Sequence, residues 1–210
     1  VGVVEQFAGA YRGADGAWTG AEAEMVEELA GRLKAEVQWV PGNELNLIQT
    51  LELFELDLVV GGLTDGASWS NRVGLTSKFY TSRTTLGVRP GHTVPDDLSG
   101  VAVAAIPGSL PAALAREEGA EIEYVQSLQG AQMSPPPPSW QIEALGRIEA
   151  VEPWRNHNHV WAVPPGENGW VLYLDRFLPE ASRKLGSRLA ELERQRLRDQ
   201  QRGDTKQASP

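Results

Sequence analysis

The stretch Asp57-Leu58-Val59-Val60-Gly61-Gly62-Leu63-Thr64 limits what this chain can fold into more than any other. Residues 56–60 form the near-continuous apolar run that a parallel strand covered on both faces requires. The Gly-Gly-x-Thr that follows brings bare backbone and a hydroxyl to the open edge of a sheet, where open α/β folds bind small ligands.

What precedes that strand has the alternating pattern such a sheet needs. Residues 1–4 read as a strand, and Thr19-x-x-Glu22 reads as a capping box before a helix with Met25, Val26, Leu29, Ala30 and Leu33 at helical spacing. Residues 37–40 read as a second strand. After the Pro41-Gly42 turn, Asn43 can cap a helix presenting Leu47, Ile48, Leu51 and Phe54. The order is therefore β-α-β-α-β, with right-handed crossovers.

A second pattern of this kind follows. Residues 84–88 read as a strand interrupted by Arg89-Pro90-Gly91, and 101–106 as another. Pro107-Gly108-Ser109 reads as a tight turn, 110–118 as a helix with Pro111 in its first turn, and 122–125 as a further strand. The prolines of 133–139 remove amide donors and predict a rigid polyproline connector, with a helix over 140–150 after it. Residues 160–163 read as a strand. Trp170, Leu174, Phe177 and Leu178 share a helical face, Pro179 begins a second helix with Leu185, Leu189 and Leu192, and 200–210 read as a polar, frayed tail.

Composition narrows the classes. At 210 residues the chain can hold two small lobes, and no apolar run reaches the roughly 18 residues of a membrane span. A net charge of -9 repels phosphate, so no nucleic-acid partner is expected. With no cysteine there is neither a disulfide framework nor a thiol nucleophile, which fits an oxidising compartment and many cytosolic proteins alike. The N-terminus opens directly on its strand and does not settle the compartment.

The segments Gly20-Ala21-Glu22-Ala23-Glu24-Met25-Val26-Glu27-Glu28-Leu29-Ala30, Asp57 to Thr64 above, and Val73-Gly74-Leu75-Thr76-Ser77-Lys78-Phe79-Tyr80 together resemble the first lobe of the extracellular solute-binding proteins of ABC importers. The likeness is to the family 3, amino-acid-type branch. Asp97-Leu98-Ser99-Gly100-Val101-Ala102-Val103 with Pro107-Gly108-Ser109 is similar to that family's entry into lobe two. His159-Val160-Trp161-Ala162-Val163-Pro164-Pro165-Gly166-Glu167-Asn168 is similar to its return into lobe one.

The resemblance implies an α/β, type II periplasmic-binding-protein-like fold, with a ligand cleft between two lobes and lobe two reduced. Lobe one would be 1–88 plus 158–210, and lobe two 89–157, including the proline-rich connector 134–139. The implied protein is a monomer, periplasmic or extracellular and open to membrane tethering, that closes on a small solute and delivers it to the membrane permease of an ABC importer. No cofactor, metal or catalytic residue is implied.

The implied binding positions depart from the family's pattern. Gly62 and Thr64 supply the backbone and hydroxyl contacts, but the arginine that forks a ligand α-carboxylate is Trp69 here, with Arg72 three residues later. Trp69 suggests an apolar, aromatic or cationic ligand. Ser109 stands in a turn whose second hydroxyl is replaced by Leu110, and the acidic residue that would receive a ligand ammonium has no position. The expected solute is therefore not a standard α-amino acid. Tyr11 and Trp18, with Phe7, are candidates for the family's aromatic wall.

Plainer readings stand beside these. Gly61 and Gly62 suit a mere strand-to-loop turn, Thr64 a turn cap, and each aromatic a core position. On a strand His157 and His159 would share a face and could bind a metal, but without a carboxylate or further His nearby they read as an exposed turn, and His92 is isolated. Glu22, Glu24, Glu27 and Glu28 read as a solvated helix face. No Gly-x-Ser-x-Gly elbow, P-loop or His-Glu-x-x-His occurs. The resemblance leaves a cleft enzyme of lyase or dehydratase type as an alternative, since a few members of the fold it implies do acid–base work with cleft carboxylates, for which Glu5 or Asp65 would be the candidates. A ligand-sensing module of a receptor or regulator is the remaining class.

Overall fold

The computed structural model describes residues 1–91, 97–107, 110–125, 133–134, 139–149 and 155–207. Its elements begin with β1 (Gly2–Val3), β2 (Tyr11–Arg12), β3 (Trp18–Thr19), α1 (Ala21–Leu33), β4 (Val40–Pro41), α2 (Glu44–Glu52) and β5 (Val59–Val60). Next come β6 (Gly74–Leu75), β7 (Tyr80–Thr84), β8 (Gly87–Val88), β9 (Ala102–Ala105), α3 (Leu110–Glu117), β10 (Glu121–Tyr124) and β11 (Met133–Ser134). The chain finishes with α4 (Ser139–Ala144), β12 (Ile148–Glu149), β13 (Arg155–His159), β14 (Ala162–Val163), α5 (Asn168–Ala181), a 3-10 turn at Ser182–Lys184 and α6 (Leu185–Gln207).

Two units divide the chain: 1–81 with 157–192, and 82–156 with 193–210. The chain crosses between them within β7, within β13 and within α6. The first boundary thus falls earlier than residue 88, and 193–210 group with the second unit instead of the first. Within that second unit Arg194 pairs with Glu143 of α4 at 2.6 Å.

The first unit is built on a five-stranded sheet of order β4-β1-β5-β14-β6. β1 is parallel to β4 on one side and to β5 on the other, while β14 runs antiparallel to both β5 and β6. The β-α-β-α-β order read from the sequence is therefore present, and its second crossover passes from one side of β1 to the other. That reversal makes the carboxyl edge of β1 a topological switch point, where open α/β sheets leave a crevice. The buried cluster behind it includes Leu47, Ile48, Leu51, Leu56, Val59, Leu63, Val160 and Ala162.

Local chemistry explains the helices. The Asn43 side chain accepts from the Asn46 N–H at 2.9 Å, which is the N-cap of α2 expected from the sequence. α1 starts differently from the expected capping box: its cap residue is Gly20, which makes no side-chain cap bond. Gly20 has φ 115°, and a Cβ there would lie 2.4 Å from the Gly9 carbonyl oxygen, so the close chain approach excludes the side chain. Glu22 is turned inward rather than back along the helix.

Several other expectations shift. Pro179 lies inside α5, which ends only at Ala181, and α6 starts at Leu185 after the 3-10 turn. α6 continues to Gln207, where a frayed tail was expected over 200–210. The helix expected over 140–150 stops at Ala144, because Gly146 takes φ 65° and the chain turns into β12.

In the second unit, β8 lies between β11 and β12, antiparallel to each. Met133 and Ser134, expected within a connector, are thus an edge strand, while prolines 135–138 lie outside the described residues. β9 and β10 are parallel and joined by α3, the second β-α-β unit read from the sequence. Leu86, Val88, Leu98, Val103, Ala115 and Ala120 form its core.

Candidate functional site at the carboxyl edge of the first sheet

The parallel strands β1 and β5 deliver Val4-Glu5-Gln6 and Gly61-Gly62 to the same edge, with Val4 N–H donating to the Val60 carbonyl at 3.0 Å. Gly61 has φ 112°, and a Cβ on it would lie 2.2 Å from the Val4 carbonyl oxygen. Gly62 has φ 76°, and a Cβ there would meet Gln6 Oε1 at 1.8 Å. Gly61 is demanded both by its left-handed backbone and by the close approach of the Val4 carbonyl, and Gly62 by its left-handed backbone, the atom it would meet being the end of a flexible side chain.

The amides of this edge point inward. Glu22, 5% exposed, accepts from Gly62 N–H at 2.8 Å through Oε1 and from Gly61 N–H at 3.2 Å through Oε2. Its Oε2 also accepts from the Trp161 indole N–H at 3.1 Å. Burial pushes the Glu22 carboxyl up from its ordinary range, against the pull of those donors. This corrects the reading of Glu22 as part of a solvated face. Its spacing to Met25, Val26 and Leu29 places it on the apolar face of α1, a signal already present in the sequence.

The aromatic candidates fall into two groups. Phe7 and Tyr11, both partly exposed, pack at 4.8 Å beside a tight turn in which Gln6 and Ala10 exchange backbone bonds and Ala8 takes φ 67°. Trp18 is paired across β2 and β3 with Arg12, whose guanidinium lies 4.5 Å from the Trp18 ring centroid. Its ring also packs on Trp39 at 5.7 Å, so Trp18 is committed to this stack. The Trp18 indole nitrogen is buried and has no partner among the described residues.

Thr64 is partly buried and bridges to His159 of β13. Next to it the Asp65 N–H donates to the Asn158 carbonyl and the Asn158 amide donates to Asp65 Oδ2, both at 3.1 Å. Glu5 accepts from the Arg12 backbone N–H at 3.2 Å. His159 is half-buried in β13 against Tyr80, 5.5 Å between rings, not in an exposed turn. Burial, then the neighbouring His157, lowers its pKa to about 4, with Asp65 acting in opposition. Among the described residues no group of three or more His, Cys, Asp or Glu could hold a metal ion.

The two residues expected to decide the ligand's charge sit elsewhere. Trp69, 1% exposed, belongs to the first unit's core and donates its indole N–H to Glu44 at the start of α2. It presents no ring face for stacking, because the Thr64 to Arg72 segment folds back onto α2. Arg72 makes a two-pronged contact with Glu52 at the end of α2, with Nε to Oε1 at 2.7 Å. Ser109, Gly108 and His92 lie outside the described residues. The residues this edge brings together are thus Gly62, Thr64, Phe7 and Tyr11, joined by Glu5, Gln6, Asp65 and Asn158.

A cavity of about 480 Å³ lies in the same unit, but at the opposite edge. Val1, Leu29, Leu33, Phe54, Leu58 and Trp170 line it, so it opens at the amino ends of β1 and β5, away from Gly62 and Thr64.

The model of the family described as bacterial extracellular solute-binding proteins, family 3, matches residues 1–195. No curated protein matches the chain in sequence. Among solved structures it is similar to an ancestral cationic amino acid solute-binding protein, at 17% identity and TM-score 0.72, covering 90% of this chain and 92% of that one. It is also similar to the unliganded, open L-cystine solute receptor of Neisseria gonorrhoeae, at 16% identity and TM-score 0.71, over 90% and 91%. A structure of an ancestral amino acid-binding protein described as a precursor of cyclohexadienyl dehydratase matches at 18% identity and TM-score 0.60, over 90% and 92%. These likenesses share the type II periplasmic-binding fold.

Proposed function

The chain belongs to the bacterial extracellular solute-binding proteins of family 3, and we propose that it captures a small solute at the carboxyl edge of the first unit's sheet and passes it, chemically unchanged, to an ABC importer. Membership places it in the periplasm or outside the cell, with a small molecule as ligand and a membrane transporter as partner. The finer reading is that it acts as a monomer and that its solute is not a standard α-amino acid.

The observation that carries the reading of the solute is the internal use, among the described residues, of the two glycine amides of this edge and of the two side chains at the family's carboxylate-clamping positions. Glu22 takes the Gly61 and Gly62 amides, Glu52 takes Arg72, and Trp69 stands in the core. What faces outward is Thr64, the Phe7 and Tyr11 rings, and the carboxylates of Glu5 and Asp65. Such a surface suits an amine, or an aromatic or apolar solute with hydrogen-bond donors, better than a carboxylate. Two of the neighbours carry cationic amino acids or L-cystine in their names, a ligand class from which this edge departs.

A thermal-shift screen tests the reading, because a solute that binds only the folded state raises the midpoint by mass action. Amines and aromatic solutes at millimolar concentration are expected to raise it, and to lose the effect in Thr64→Ala and Tyr11→Ala. Glycine, glutamate or lysine raising it equally in wild type and both variants would overturn the assignment. An enzyme reading draws on Glu5 and Asp65 and on the neighbour described as a dehydratase precursor. Turnover of a screened solute that disappears in Asp65→Asn would favour it.

A further inference from the structure

Glu22 is a buried titratable group that solute capture does not itself require. Its two oxygens collect three N–H donors from separate parts of the first unit: Gly61 and Gly62 after β5, and the Trp161 side chain just before β14. The backbone that carries the side chain is fixed as well, since the Glu22 N–H donates to the Gly9 carbonyl at 2.8 Å. Sitting in the first turn of α1, the carboxylate also meets the positive end of the helix dipole.

Three donors converging on two oxygens is how a protein recognises an anion. Here the anion is supplied by the chain.

We propose that Glu22 is the positioning residue of the ligand edge: its carboxylate fills an anion nest made by the Gly61 and Gly62 amides and the Trp161 indole, and thereby denies those donors to a solute carboxylate. The claim rests on the reading of this edge as solute-binding only for its consequence. The occupied nest itself stands on the geometry above. With these amides turned inward, selection passes to Thr64 and the side chains beside it.

The test exploits the size of the group removed. Glu22→Ala deletes a CH2–COO− unit, leaving a hole the size of acetate that is still lined by three N–H donors. Sodium acetate and sodium formate, titrated to about tenfold above their dissociation constants, are expected to raise the unfolding midpoint of Glu22→Ala by about 3 °C in a saturable way. Sodium chloride at the same ionic strength is expected not to do so, and wild type not to respond to any of the three salts. Acetate acting no better than chloride on the variant, or equally well on wild type, would overturn the proposal.

Should Glu22→Ala not fold, Glu22→Gln supplies the second arm. The amide keeps the shape but offers one acceptor and sets its NH2 against the remaining donors. The Gly61 and Gly62 amide protons and the Trp161 indole proton are then expected to move together in a 1H–15N spectrum, while the Trp39 indole, bonded to Glu27 at 3.2 Å, stays in place. Unmoved signals at the first three would overturn it. Neither arm contains the transported solute, so a failed solute screen and an empty nest are separate results.

Discussion

Trp69 donates its indole N–H to the Glu44 carboxylate in the first turn of α2, and so ties the segment after Thr64 to the core. A ring this deeply buried contributes through packing, and its carboxylate partner would be left without a donor if the ring were removed. Trp69→Ala is expected to lower stability by about 3–5 kcal/mol in urea denaturation. Trp69→Phe, which keeps most of the volume, is expected to recover more than half of that loss. A Trp69→Ala protein as stable as wild type, with altered solute affinity alone, would return this residue to the ligand site.

Gly61 is the glycine whose replacement has nowhere to go. A Cβ would strike the Val4 carbonyl, backbone of a sheet strand's continuation, whereas at Gly62 the obstacle is the far end of the exposed Gln6 side chain. Gly61→Ala is therefore expected to cost roughly 2–4 kcal/mol, and Gly62→Ala only the smaller strain of a left-handed alanine, about 1 kcal/mol. Equal losses in chemical denaturation would show that the first strand yields at Val4.

Arg72 is held by Glu52 at the surface, where solvent and salt weaken the pair. Arg72→Ala is expected to leave the unfolding midpoint at high salt indistinguishable from wild type, and to leave solute affinity unchanged. A large loss of affinity at constant stability would mean that the side chain leaves Glu52 for the solute.

Much of the fold was legible because it rests on spacing. Met25, Val26, Leu29 and Ala30 of α1, Leu47, Ile48 and Leu51 of α2, the Asn43 cap and the continuous run before Gly61 each have one sensible placement, and the β-α-β-α-β order follows from them, whereas Leu33 and Phe54, read on the same faces, are exposed at or beyond the helix ends. The site was less legible, for a reason visible in Glu22 and Trp69. Both are residue types that a sequence reading assigns to the surface or to a ligand, and each is buried by partners distant in the chain, Trp161 for one and Glu44 for the other. Glu22 did carry a local clue in its phase with Met25, Val26 and Leu29. Trp69 carried none, because only the return of its segment onto α2 decides where the ring goes.

His159 adds a pH dependence to folding, its imidazole half-buried beside Tyr80 in β13. Its pKa falls from 6.5 to about 4, through burial first and His157 second. The unfolded chain therefore takes up a proton near pH 6.5 that the folded chain refuses until about pH 4. Stability from this group is complete above the unfolded value, declines as pH falls across that window, and levels off below it. The full change is at most about 3.5 kcal/mol, and solvent reaching the partly exposed ring reduces it. His159→Gln removes the titration and keeps a polar side chain. The stability difference between variant and wild type, measured by urea denaturation, is expected to move in favour of the variant from pH 7 toward pH 4.5 by about 1–3 kcal/mol. A difference that stays flat across that range would mean that His159 is as readily protonated in the folded protein as in water.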